Sequence, residues 1–89
     1  MELKAKGSFY RDLSQYSNRE LATEIQKILR QIINVQNISQ IPGLKKLKKY
    51  DPHYRIKVME NYRIGIVIRG SNVILVCLGH RHNFYKSFP

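Results

Sequence analysis

The sequence predicts an α+β domain in which an N-terminal helical hairpin packs on a small antiparallel β-sheet. One long segment in the first half carries its apolar residues at helical spacing. Segments in the second half alternate, or run apolar, in the manner of strands. Gly-, Pro- and Asn-containing turns separate those segments. With 89 residues, the chain is expected to form one domain spanning residues 1–89.

Leu3 and Ala5 occupy alternate positions and, with Phe9 as a further candidate, suggest a short first strand. Ser8 is placed to cap a first helix running to about Tyr16, with Phe9, Leu13 and Tyr16 on one face. Ser17-Asn18-Arg19-Glu20 reads as a capping box, Ser-x-x-Glu, and opens the clearest helix in the chain. Leu21, Ile25, Ile28, Leu29, Ile32 and Ile33 form its apolar stripe, and Glu24, Lys27, Arg30 and Gln31 its polar face. Two helices with one apolar face each need a sheet to cover them.

Residues 37–53 read as a connector with turns at Pro42-Gly43 and Asp51-Pro52. Between the turns, Leu44 and Leu47 anchor a segment whose lysines (Lys45, Lys46, Lys48, Lys49) stay solvated. Residues 54–58 alternate strictly, and residues 62–68 follow after a Met59-Glu60-Asn61 turn. Residues 73–78 follow a Gly70-Ser71-Asn72 turn and suit a central strand. Cys77, the one cysteine, lies in that run and reads as a buried structural thiol rather than a nucleophile.

Charge is the strongest compositional signal. Sixteen Lys and Arg against six Asp and Glu give a formal net charge of +10, a field that attracts polyanions. No apolar run is long enough to span a bilayer, and no basic helix has an aromatic apolar face, so a membrane partner is not expected. Met1-Glu2-Leu3-Lys4 lacks the layout of a signal peptide, and a cytoplasmic location is expected. No Cys/His spacing suggests a metal site. Nucleic acid and an acidic protein remain as partners.

The first hairpin focuses this charge. A three-residue turn at Met59-Glu60-Asn61 sets Val58 opposite Tyr62, Lys57 opposite Arg63 and Arg55 opposite Gly65. Tyr54, Ile56, Val58, Tyr62, Ile64 and Ile66 then share one face, and Arg55, Lys57 and Arg63 the other. Like charges across a strand pair destabilise it. A solvated, salt-screened sheet face is the plain alternative. The added Arg55, and a glycine expected to leave space above the sheet, favour an anion site. Such a site could cleave RNA through its own 2′-hydroxyl, given a base and cations for the phosphorane charge. Neighbouring cations disfavour a charged lysine, as a base at Lys57 requires.

Taken in order, Leu44-Lys45-Lys46-Leu47, Tyr54-Arg55-Ile56-Lys57-Val58, Asn61-Tyr62-Arg63-Ile64, Gly79-His80-Arg81 and Tyr85 resemble the signature of the RelE/ParE toxin superfamily. The resemblance covers about the last half of the chain and is carried by the ordered set. It implies a RelE-like fold and a metal-independent, cofactor-free endoribonuclease: a toxin that cuts messenger RNA in the ribosomal A site and leaves a 2′,3′-cyclic phosphate. It implies Lys57 as general base, Arg55 and Arg63 on the phosphate, Arg81 on the transition state, and Tyr85 stacked on a base. His82 stands where some members keep an acid or base, with a solvated histidine as the alternative. His80, with Lys45, Lys46, Lys48 and Lys49, would contact RNA. The implied partners are an acidic antitoxin, in a hetero-oligomer, and the ribosome with its mRNA. Glu60 departs from the glycine many relatives carry in this turn. The same superfamily includes ParE-like toxins that bind DNA gyrase, and a degenerate RNA- or antitoxin-binding module is a further alternative.

Overall fold

The computed structural model describes residues 1–47 and 52–89. Lys48 and Lys49, and Asp51 of the expected Asp51-Pro52 turn, lie outside them. The order is β1 (Glu2–Ala5), α1 (Gly7–Ser14), α2 (Arg19–Asn34), a 3₁₀ turn (Ile38–Gln40), β2 (Leu44–Lys46), β3 (His53–Val58), β4 (Tyr62–Arg69), β5 (Asn72–His80) and α3 (Arg81–Ser87). The sheet runs β1-β5-β4-β3-β2. Neighbours from β5 to β2 are antiparallel, whereas β1 lies parallel to β5 at the edge. The predicted helices on a sheet are therefore present, with one parallel strand added.

Helices α1 and α2 cover one face. Phe9 of α1 and Leu21, Ile25 and Ile32 of α2 are buried against Ile56, Val58, Ile64, Ile66, Val73, Leu75 and Leu78 of the sheet. Each such side chain contributes roughly 1.5–3 kcal/mol when fully buried. Ile33, expected in the stripe, is instead 55 % exposed, because it lies at the stripe's margin near the helix end. The caps also differ by position. Asn18, not Ser17, caps α2, its side chain accepting from the Leu21 amide at 3.1 Å. Ser8 lies inside α1, and its hydroxyl donates to the Val76 carbonyl.

That Ser8 contact has a structural purpose. β1 pairs with β5 only as far as Leu75, which leaves the rest of that edge without a strand. Ser8 takes the Val76 carbonyl, and Asp12 Oδ2 accepts from the Leu78 amide at 3.1 Å. Side chains of α1 thus replace the missing ladder.

The apolar run in β5 serves both faces. The register passes from Ile66↔Leu75 to Gly65↔Cys77, so Val76 is an extra residue in the ladder. This bulge returns Leu78 to the core opposite Ile64 and turns Cys77 to the other face. There α3 packs, which the sequence pattern did not predict. Phe84 and Phe88 are 2 % and 6 % exposed, and Phe88 lies over Gly65. The space expected above Gly65 is therefore filled. A Cβ at Gly65 would stand 2.7 Å from Cys77 Sγ and 2.9 Å from the Phe88 ring. Gly65→Ala is expected to cost about 1–3 kcal/mol by overpacking, measured by urea unfolding. In a double mutant with Phe88→Ala the two costs should not add.

Candidate functional site

The hairpin register is the one read from the alternation: Lys57↔Arg63, Arg55↔Gly65 and Val58↔Tyr62. Arg55, Lys57 and Arg63 consequently share the sheet face that carries α3. The turn at Met59-Glu60-Asn61 draws three cations together. Arg63 NH1 donates to the Glu60 carbonyl at 3.1 Å and the Tyr62 carbonyl at 2.9 Å. The Arg81 amide donates to the Asn61 carbonyl at 2.7 Å, tying the start of α3 to the turn. The Glu60 carboxylate reaches Lys57 Nζ at 3.4 Å and Arg81 NH1 at 3.9 Å. Met59 adopts φ 54, a left-handed conformation for a non-glycine residue, while its side chain packs on the core.

Arg55 points the other way. Its NH1 donates at 2.8 Å to the carbonyl of Gly43, which also accepts from the Lys57 amide at 3.2 Å. Gly43 has φ +75, and a Cβ there would come within 3.2 Å of the Lys57 carbonyl, so this close turn suits glycine. Arg55 and Arg63 each keep a buried Nε–H with no hydrogen-bond partner among the described residues. Their guanidiniums turn to backbone carbonyls, and the charged group that Lys57 meets is Glu60 rather than another cation.

A second part of the face lies beside β2. Lys45, Lys46, Leu47, Arg55 and Tyr85 line a cleft of about 340 Å³, with Tyr85 52 % exposed. Of the expected lysine segment, Leu44–Lys46 forms the edge strand β2, Lys45 opposite Arg55 and Lys46 opposite Tyr54. Tyr85 sits one turn along α3 from Arg81, so the helix that anchors the arginine also presents the aromatic ring.

His80 caps α3, its Nδ1 accepting from the His82 amide at 3.4 Å. Its ring stacks on His82 with centroids 5.0 Å apart and meets the Tyr62 ring at 5.8 Å. His82 is exposed in the first turn of α3. His53, the last residue of the connector expected over residues 37–53, instead begins β3 and packs edge-on to Phe88 at 5.4 Å. Sequence reasoning passed over the pair Phe84 and Phe88, and it noted Glu60 as a departure in the turn without its link to Lys57 and Arg81. A single acidic residue between Lys57 and Arg63, and two phenylalanines four apart, were the available signals.

Burial pushes the Cys77 thiol up to about 11, reinforced by the nearby Asp12 charge and opposed by a hydrogen bond from Gly65. The thiolate is the reactive form, so at pH 8 its fraction is roughly 100-fold below that of a thiol at 9.0. Alkylation by iodoacetamide should be slow at pH 8 and rise about tenfold per pH unit to pH 10. Because the folded thiol holds its proton longer, stability should fall as pH rises from 9 toward 11. Rapid alkylation at neutral pH would show that Cys77 is not the buried structural thiol expected.

Among the described residues, no group of three or more His, Cys, Asp or Glu is placed to hold a metal ion. No helix among them is long and apolar enough to cross a membrane.

Comparison with known proteins places these features in a family. No protein-family model matches the chain. The chain is 32 % identical over 83 residues to toxin RelE3 of Methanocaldococcus jannaschii, covering 92 % of each. It also resembles the crystal structure of a RelB-RelE antitoxin-toxin complex from Methanococcus jannaschii. There the identity is 30 % and the TM-score 0.81, over 97 % of this chain and 99 % of that one. YafQ from E. coli shares the fold, with a TM-score of 0.75 at 10 % identity over 94 % of this chain and 97 % of that one.

Proposed function

The chain belongs to the RelE family of toxins, and from that premise we propose that it is a metal-independent endoribonuclease that cleaves messenger RNA in the ribosomal A site. The observation that carries this reading is the convergence of Lys57, Arg63 and Arg81 on one turn, on the sheet face that also holds Arg55 and Tyr85. A surface serving stability alone gains nothing from Lys57 opposite Arg63.

In the proposed reaction Lys57 takes the proton from the 2′-hydroxyl. The 2′-oxygen forms a bond to phosphorus, and the bond from phosphorus to the 5′-oxygen breaks, leaving a 2′,3′-cyclic phosphate. Arg63 and Arg55 hold the non-bridging oxygens through their guanidinium groups. Arg81 neutralises charge that develops on the phosphorane and the leaving oxygen. The leaving oxygen must gain a proton, and His82, next to Arg81 in α3, is the proposed donor. A base stacks on Tyr85, worth roughly 1–3 kcal/mol. Lys45, Lys46, Lys48, Lys49 and His80 add contacts to ribosomal or messenger phosphates and ribose, and with them salt-sensitive affinity.

The proposed protein partner is an acidic antitoxin that covers the basic face in a hetero-oligomer. The net charge of +10 supports this, as does the 30 %-identical relative solved as an antitoxin-toxin complex. The proposed unit is one domain over residues 1–89, acting in the cytoplasm. The test is mRNA cleavage on purified, programmed ribosomes by wild type, Lys57→Ala and Arg81→Ala. Cutting within the A-site codon by wild type, lost in both folded variants, is the expected result. No cutting by folded wild type, with or without ribosomes, would refute the enzyme and turn attention to gyrase inhibition or simple binding.

A further inference from the structure

Glu60 is an acid among cations. Its two carboxylate oxygens address two different partners, Oε2 toward Lys57 Nζ at 3.4 Å and Oε1 toward Arg81 NH1 at 3.9 Å. Both distances exceed those of a seated charge-assisted hydrogen bond, about 2.7–2.9 Å. The side chain is 72 % exposed, so the carboxylate can swing out without disturbing packed neighbours.

Nor do the cations depend on it for their positions. The Lys57 backbone is fixed in β3 by its ladder and by the hydrogen bond its amide donates to the Gly43 carbonyl. Arg81 is held through its own amide on the Asn61 carbonyl. The carboxylate therefore supplies charge, and supplies it at a point between the two groups assigned above to the reacting phosphate. A planar carboxylate and two non-bridging phosphate oxygens make the same demand on flanking donors.

We propose that Glu60 is an internal counterion that occupies the phosphate position between Lys57 and Arg81 and must leave it when a phosphodiester of single-stranded RNA binds. The inference rests on the reading of this face as an RNA site. It makes Glu60 a setting for affinity: the carboxylate screens the like-charged Lys57 and Arg81 in the free protein and competes with the ligand. An ordinary surface ion pair, with the phosphate bound elsewhere, is the competing account.

The accounts separate in a binding experiment with a short RNA whose 2′-hydroxyls are replaced by hydrogen, so that it cannot be cut. Affinity would be measured by titration, with the side-chain NMR signals of Lys57 and Arg81 as local reporters. Glu60→Gln keeps the shape and removes the charge; two exposed pairs at these distances make the expected gain in affinity about three- to tenfold. Glu60→Asp keeps the charge and should stay within about twofold of wild type. Glu24→Gln, which removes the same charge from α2 beyond the opposite face of the sheet, should bind like wild type. Equal affinities for wild type and Glu60→Gln, or an equal gain in Glu24→Gln, would overturn the counterion while leaving the RNA site standing. Absence of binding in every variant would overturn the RNA site and the counterion together.

Discussion

Lys57→Ala is expected to lower the rate of mRNA cleavage on programmed ribosomes by about 10²–10⁴-fold, the range for loss of a positioned general base. The fold should survive the change. The Lys57 side chain is 43 % exposed and stands opposite Arg63, so its removal relieves a like-charge pair and opens no cavity. A loss of activity with an unchanged melting curve would therefore report chemistry. Lys57→Arg divides two roles that alanine confounds. Arginine keeps the positive charge but cannot serve as a base near neutral pH. If Lys57 accepts the 2′-proton, the arginine variant should be nearly as inactive as the alanine variant. If Lys57 only steadies the phosphorane, the arginine variant should keep much of the activity, and the base must be sought elsewhere on this face.

The reading of Lys57 came from the sequence because the relevant information is local. Strict alternation over residues 54–58 and a short turn leave little freedom in register, since a slip of one residue would turn Ile56 and Val58 to the other face. The core of α2 was legible for a similar reason, as its period is written in one segment. What was not legible depends on contacts between distant segments. Gly65 reads as open space until Phe88, far along the chain, is found above it. Helix α3 has too few apolar residues to display a period, so Phe84 within it and Phe88 just after it acquire meaning only against Gly79 and Gly65. The lysines of β2 read as a solvated run because an edge strand pairs on one side alone. Ser17 and Asn18 are both good capping residues, and nothing local decides between them. The parallel pairing of β1 with β5 likewise joins segments about 70 residues apart, beyond any local pattern. Glu60 was visible as a departure in the turn, but its link to Arg81 required α3 to be in place.

That dependence on α3 gives the second large effect. Phe84→Ala is expected to detach α3 and to abolish cleavage nearly as completely as loss of Arg81 and Tyr85 together. Phe84 is 2 % exposed, packs against Gly79, and meets the rings of Tyr85 and Phe88 at 4.9 and 5.3 Å. Truncating a buried phenylalanine costs about 3–5 kcal/mol where the structure must stay folded around the cavity. A seven-residue helix has no such obligation, being too short to persist without its packing. Local release of α3 is the cheaper route, so the main core on the opposite face of the sheet should keep most of its stability. Hydrogen exchange reads the difference. In wild type the Arg81 amide is bonded to Asn61 and the Phe88 amide to Phe84, and both should be protected. In Phe84→Ala both should exchange freely while the Ile56 and Ile64 amides remain slow. Retained protection at Arg81 with intact cleavage would mean that Phe88 alone holds the helix down. Loss of protection with cleavage unaffected would remove Arg81 and Tyr85 from the proposed reaction.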